Sequence, residues 1–160
     1  MKSTIKFTWK TWLLLAGMVA TAGLIFYFSS CDGTKSSAQS DFVLHLFRFL
    51  EELPGGSFLV RKGAHFSIYF LLGLLSCAFF RSMNFPLSRS LFFAVILSCL
   101  YAMTDEFHQT FVPGRAGEFR DVCLDTFGAF IGALIVIALA KLIERKLDNP
   151  STQKKNSGLS

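Results

Sequence analysis

The hydrophobic residues of this 160-residue chain are gathered into four long blocks. The blocks cover residues 11–28, 63–80, 87–103 and 122–142, and polar or charged segments separate them. Each block is close to the roughly 20 apolar residues that an α-helix needs to cross the hydrocarbon core of a bilayer. Because backbone groups in lipid must be satisfied within their own segment, the pattern predicts an all-α membrane protein with four transmembrane helices.

The segments around these blocks supply further elements. Trp9 and Trp12 lie at the start of the first block, after a basic stretch, as is typical of a membrane anchor. Pro86 marks the start of the third helix. The run from Phe28 to Cys31 faintly resembles a lipoprotein cleavage box, but the later blocks favour a retained anchor, and modification of Cys31 stays open. We therefore divide the chain into a basic N-terminus over 1–10, a membrane domain over 11–142 and a polar tail over 143–160.

A fifth, shorter element is predicted between the first and second transmembrane helices. In residues 41–53 the apolar side chains recur at helical spacing, and Pro54-Gly55-Gly56 follows them. This pattern predicts an amphipathic helix that lies in the membrane interface and ends at the proline. Its apolar stripe consists of Phe42, Leu46, Phe49, Leu50 and Leu53.

Composition and charge agree with this architecture and add its orientation. Hydrophobic residues make up 52% of the chain and charged residues 17%, which excludes a disordered chain or an ordinary soluble domain. The net charge is +5, but the basic residues form no patch interleaved with aromatic residues, so we expect no nucleic-acid partner. Of the 16 Lys and Arg residues, 10 fall on the side of the two termini. The positive-inside rule then predicts a multi-pass protein of the cell membrane with both termini in the cytoplasm.

Ionisable residues enter three of the predicted helices on the side opposite the termini. Charges at membrane depth are costly and commonly mark functional sites. Within each helix these residues are spaced three or four apart and share a face, so inward-facing charges could pair with one another. We predict a polar pocket at the outer leaflet whose ligand-binding residues are Arg61, Lys62, His65, Tyr69, Asp105, Glu106, Gln109, Arg115, Asp121 and Asp125.

Three kinds of chemistry fit these residue types. A phosphate could be bound by Arg61, Lys62 and Arg115. A second set of residues combines carboxylates with an imidazole and could bind a divalent metal. A third set could act in acid–base catalysis. The metal candidates are Asp105, His108, Asp121 and Asp125, and the catalytic candidates are His65, Asp105 and His108.

Structural explanations exist for several of the same residues. Asp121 could cap the fourth helix, whereas Asp125 lies one turn deeper, where capping does not explain it. Arg61 and Lys62 could be interface anchors, and Glu106 could face the adjoining loop. Gly128 and Gly132 form a small-xxx-small face that permits close helix contact. The chain has no HExxH, GxSxG, P-loop or CxxC motif, so the sequence specifies no reaction and leaves open whether the protein is an enzyme.

Two runs of this sequence resemble the VanZ-like family, small membrane proteins named for a member associated with teicoplanin resistance. They are RKGAHFSIYFLLG at 61–73 and YAMTDEFHQTFVPGRAGEFRDVCLDTFGAFIGALI at 101–135. The second contains DE-x-HQ-x-F-x-PGR followed by D-x-x-x-D-x-x-G-x-x-x-G, and the likeness covers nearly all of 11–142. The resemblance implies a four-helix integral membrane protein with a link to glycopeptide tolerance or envelope lipids, and it highlights the same polar residues.

Three functions share these sequence features. The first in rank is a non-catalytic protein whose pocket binds an anionic membrane lipid or a lipid-linked envelope precursor, with an effect on teicoplanin tolerance. The second is a helix bundle whose ion pairs serve stability alone. The third is a membrane-embedded enzyme that acts on a lipid phosphate with the help of a divalent metal.

Overall fold

The computed structural model describes residues 7–31 and 56–147, and the described part of the chain is built from four α-helices. The predicted interfacial helix over 41–53 lies outside the described residues. All four helices are long and apolar enough to cross a membrane, and no strand occurs in 7–31 or 56–147. The prediction of four transmembrane helices is thereby confirmed. The helices are α1 (Trp9–Ser29), α2 (Gly56–Ser82), α3 (Leu87–Gln109) and α4 (Phe119–Leu147).

Several helices extend beyond their hydrophobic blocks. Helix α2 begins seven residues before the predicted start at 63, and α3 continues from 103 to Gln109. Helix α4 also extends past both predicted limits, 122 and 142. A hydropathy pattern detects only the lipid-facing stretch, whereas helical hydrogen bonding continues through polar turns. As a result Arg61 and Asp105 lie on regular helix. Pro86 is the N-cap of α3, which confirms the predicted start.

Hydrogen bonds between helices show the relative directions of the helices. Near the start of α1, Thr11 accepts a hydrogen bond from the hydroxyl of Ser82 at the end of α2, at 3.1 Å. The hydroxyl of Tyr101 on α3 donates to the carbonyl oxygen of Ala22 on α1, at 2.7 Å. Helices α1 and α3 therefore end where α2 and α4 begin. We call this end of the bundle the distal end.

Helices α2 and α4 form the most extensive contact between helices of the described part. Glycines make their close approach possible. A Cβ placed on Gly128 would lie 2.6 Å from the carbonyl oxygen of Phe66, and Cβ atoms on Gly73 or Gly132 would overlap the facing backbone. The prediction that Gly128 and Gly132 permit close helix contact is confirmed, and their partner is α2 of the same chain.

The glycine contact leads to a stability prediction with a control on the same helix. Gly73→Ala should destabilise the bundle by about 1–3 kcal/mol, because the new methyl group has no space against α4. Gly63→Ala should be neutral or slightly stabilising, since nothing lies within 4 Å of a Cβ there and alanine favours helix. Thermal unfolding in detergent measures both. Equal melting temperatures for the two variants would contradict the close contact.

Candidate functional site

Four ionisable side chains from three helices converge at the distal end. Each side chain has one atom able to bind a metal, either a carboxylate oxygen or an imidazole nitrogen. These four atoms all lie within 4.8 Å of one another. His65 comes from α2, Asp105 and Glu106 from the last turn of α3, and Asp125 from α4. The three acidic residues are at most 5% exposed, and Asp125 is fully buried. We call these four residues the distal cluster.

The α2–α4 contact brings two members of this cluster together. His65 lies one residue before Phe66, and Asp125 lies one helical turn before Gly128, which packs on the Phe66 carbonyl. The resulting distance between His65 Nδ1 and Asp125 Oδ2 is 3.4 Å. Asp125 therefore faces the bundle interior beside an imidazole, as expected for a carboxylate at membrane depth.

The end of α3 supplies the other two carboxylates and also holds the loop that leads to α4. Oε2 of Glu106 accepts a hydrogen bond from the backbone N–H of Glu118, at 2.8 Å. A Cβ on Gly117 would lie 2.5 Å from the Glu106 carbonyl oxygen, so a glycine is required for this approach. Glu106 thus contacts the loop through one oxygen and belongs to the distal cluster as well. Asp105 accepts from the side chain of Gln109, one turn later, at 3.4 Å.

Four buried side-chain oxygen atoms in this region have no hydrogen-bond partner among the residues that the structure describes. They are Tyr69 Oη, Glu106 Oε1, Asp125 Oδ1 and Thr126 Oγ1. Tyr69 lies one turn after His65 on α2 and is fully buried. A buried polar group without a partner costs about 1–3 kcal/mol, and more when it is charged. The cluster therefore presents carboxylate oxygens that the described part of the chain leaves unused.

The cluster also concentrates negative charge. At separations of 4.8 Å or less, two ionised carboxylates repel by at least about 3 kcal/mol at an effective dielectric constant near 20. Lys62, the lysine that the described residues place at this end, does not offset this repulsion directly, because it pairs with Asp121 and approaches Glu118 Oε2 at 3.6 Å. Within the distal cluster itself, His65 is the one residue able to carry positive charge.

Two arginines lie at the rim of the distal end. Arg61 is exposed, one turn before His65, and forms no ion pair with any residue in 7–31 or 56–147. Arg115, in the loop between α3 and α4, donates to the carbonyl oxygen of Ser29 at 3.4 Å. Burial lowers the pKa of the Arg115 guanidinium, and the nearby charge of Arg61 lowers it further, while Asp105 and Glu106 act in the opposite direction. The charge of Arg115 therefore interacts with that of Arg61 and with those of the acidic cluster.

The metal candidates chosen from the sequence divide into two groups in the structure. Asp105 and Asp125 belong to the distal cluster, whereas His108 and Asp121 are outside it. Nδ1 of His108 lies 3.4 Å from the hydroxyl oxygen of Ser29, and its ring packs beside Phe26 of α1. Asp121 lies in the first turn of α4, where its carboxylate pairs with Lys62.

Sequence reasoning overlooked Ser29. It is the last residue of α1, and it contacts both Arg115 and His108. It is also almost fully buried, which ties α1 to the distal end. A serine at the boundary between an apolar block and a polar loop gave no signal that would distinguish it from an ordinary helix end. All the residues that the sequence analysis proposed for phosphate binding or ligand binding lie at this end of the bundle.

The fold and the distal cluster together define a class: a multi-pass, four-helix membrane protein with buried ionisable groups at one end. The family model VanZ/LLP1 matches residues 12–141. The chain therefore belongs to the VanZ/LLP1 family, as the sequence resemblance indicated. No curated protein and no solved structure gives a match to this chain.

The Lys62–Asp121 contact leads to a prediction about coupling between helices. Both side chains are about one-seventh exposed, at 15% and 14%, so their attraction is only partly screened. A double-mutant cycle with Lys62→Met and Asp121→Asn, followed by unfolding in detergent, should give a coupling energy of about 1–3 kcal/mol.

The matched control is the pair Arg81–Glu144 at the other end of the same two helices. Its atoms are 3.7 Å apart and its side chains are more exposed, at 29% and 54%. The corresponding cycle should give less than about 1 kcal/mol, as is usual for exposed pairs. Equal coupling at the two pairs would show that the partial burial of Lys62 and Asp121 has no energetic consequence.

Proposed function

We propose that this protein binds an anionic, phosphate-bearing membrane lipid, or an envelope precursor linked to such a lipid, at its distal end. The observation that carries the proposal is that Arg61 and Arg115, whose charges interact, both lie at the rim of a buried polar cluster. Like charges that lie close together at a membrane boundary are stabilised by an anion between or beside them. Arginine presents paired N–H donors whose geometry matches phosphate oxygens.

Lys62 has a supporting role in this arrangement. Its contacts with Asp121 and Glu118 connect the start of α2 to the start of α4. Because Lys62 is adjacent to Arg61 in the chain, this connection fixes the helical turn that carries the arginine. We therefore propose that Arg61 and Arg115 bind the phosphate and that Lys62 positions α2.

Exposed aromatic side chains at the same end favour a lipid over a free phosphate. Phe107 and Phe111 are 66% and 71% exposed, and their ring centroids are 5.1 Å apart. Phe119, at the start of α4, is 78% exposed. In a membrane such surfaces contact acyl or prenyl chains, while neighbouring arginines contact the head group. A ligand with a phosphate and a long apolar chain satisfies both surfaces.

The proposal also includes an orientation and a consequence. With both termini in the cytoplasm, the distal end faces the outer leaflet, where lipid-linked envelope precursors are exposed. A protein that binds such a precursor would change the access of lipidated glycopeptides to it. This is the route by which we connect the site to the teicoplanin tolerance that the family resemblance implies.

The test is a titration of the purified protein in detergent with short-chain phosphatidic acid. Phosphatidylcholine with the same chains is the reference for a head group without net charge. Arg61→Gln and Arg115→Gln should each weaken phosphatidic acid binding by about tenfold, the usual effect of losing one charge-assisted hydrogen bond. Phosphatidylcholine should bind more weakly than phosphatidic acid to the unmodified chain.

Arg120→Gln is the matched control, because Arg120 is an exposed arginine near the same end, in the first turn of α4. It should retain the affinity of the unmodified chain. Lipid affinity that is unchanged in the Arg61 and Arg115 variants would refute the proposal. Displacement of the lipid by millimolar inorganic phosphate would identify a free phosphate species as the ligand and would refute the lipid assignment.

A further inference from the structure

We infer that the distal cluster of His65, Asp105, Glu106 and Asp125 binds one divalent first-row transition cation of the Mn²⁺ or Zn²⁺ type. This ligand set differs from the one chosen by sequence spacing, since His65 and Glu106 take the places of His108 and Asp121. The cation site itself stands on the geometry of the cluster. Its connection to a bound phosphate, described below, rests on the function proposed above.

The spacing of the four side chains suits a metal ion. At metal–ligand distances of about 2.0–2.2 Å, ligand atoms around a cation lie about 3–4.4 Å from one another. The four atoms of the cluster lie within 4.8 Å of one another, so small side-chain rotations bring them to coordination distance. They come from three different helices, and the glycine contact between α2 and α4 fixes two of those helices. The site is thus preorganised by the fold.

The unused carboxylate oxygens are an independent observation that points to a ligand. Glu106 Oε1 and Asp125 Oδ1 are buried and have no hydrogen-bond partner in 7–31 or 56–147. Both residues are more than nine-tenths buried. Glu106 Oε2 accepts from the Glu118 N–H, so Glu106 is oriented by one contact and offers its other oxygen, as metal-binding carboxylates commonly do. Asp125 Oδ2 lies 3.4 Å from His65 Nδ1, a separation that two ligand atoms of one cation can have.

The donor types indicate which cation fits. Three carboxylates next to one another repel when they are ionised, and Lys62 is paired with Asp121. A divalent ion neutralises two of the three charges and replaces their mutual repulsion with attraction. The imidazole of His65 favours a transition cation, because Ca²⁺ and Mg²⁺ prefer ligand sets made of oxygen alone. Mixed imidazole and carboxylate ligands suit Mn²⁺ and Zn²⁺.

The cation site lies next to the arginine pair. Arg61 is one turn from His65 on α2, and the charge of Arg115 interacts with those of Asp105 and Glu106. If a lipid phosphate binds at the arginines, a cation in the cluster would lie on its inner side and add to the attraction. The cluster would then prefer a phosphate head group over a carboxylate or a zwitterionic one.

The test measures metal binding without added lipid. The purified protein in detergent is stripped with a chelator and titrated with Mn²⁺, whose free concentration is read from its electron paramagnetic resonance signal. Zn²⁺ is titrated separately against a chelating dye. We expect one equivalent of cation per chain. His65→Gln and Asp125→Asn should each weaken binding by more than about tenfold, since even the loss of an outer-shell partner has an effect of that size.

Two control variants separate this ligand set from its neighbours. His108→Gln removes an imidazole that faces α1, and Glu118→Gln removes a carboxylate that is 53% exposed. Both should bind the cation like the unmodified chain. Should either weaken binding as much as His65→Gln, the assigned ligand set is wrong. Less than a tenth of an equivalent bound at millimolar cation in the unmodified chain would overturn the site.

A second readout covers variants that fold poorly. Added Mn²⁺ or Zn²⁺ should raise the melting temperature of the unmodified chain, because a ligand that binds only the folded state stabilises it. Mg²⁺ at the same concentration should raise it less, and an equal effect of Mg²⁺ would contradict the assignment of a transition cation. The Arg61→Gln and Arg115→Gln variants should retain cation binding whatever their lipid affinity. Failure of the lipid proposal is therefore distinguishable from failure of the cation site.

Discussion

The close contact between α2 and α4 is the constraint on which the distal end depends. Two helices can approach so nearly only where side chains are absent, and Gly73, Gly128 and Gly132 provide that absence along one seam. Apolar side chains gain little by leaving lipid for a helix interface, so tight packing and polar contacts must hold the helices together. The same seam places His65 against Asp125 and Lys62 against Asp121. The polar site is therefore a direct result of the backbone packing.

Polar contacts in this bundle fall into two groups with different physical consequences. In one group every atom has a partner in the chain, as in the hydrogen bond from Tyr101 to Ala22 and the ion pair of Lys62 with Asp121. Such contacts replace the hydration that a polar group loses in lipid and fix the helix register. In the other group, Glu106 and Asp125 present buried oxygens that the described part of the chain does not satisfy. The cation site that we infer uses only the second group.

The sequence was sufficient to predict the helices because hydropathy reports directly on contact with lipid. It also identified the polar residues of the distal end, since charged residues at membrane depth stand out from their surroundings. It did not identify which of them meet. His65 and His108 have comparable sequence contexts, yet the first faces Asp125 and the second faces Ser29. That difference depends on the rotation of α2 relative to α4 and of α3 relative to α1, and spacing within one helix contains no information about rotation between helices.

The cation and the anion that we propose correspond to a gradient of burial at the distal end. Asp125 is fully buried, His65 is partly exposed at 18%, and Arg61 is at the surface. The unsatisfied carboxylate oxygens thus lie in the interior, and the exposed Arg61 lies at the rim. In the two proposals, a divalent cation contacts the carboxylates inside and a phosphate contacts the arginines outside. Each proposed ligand thus lies against groups of the opposite charge, which lowers the energy of charges held near lipid.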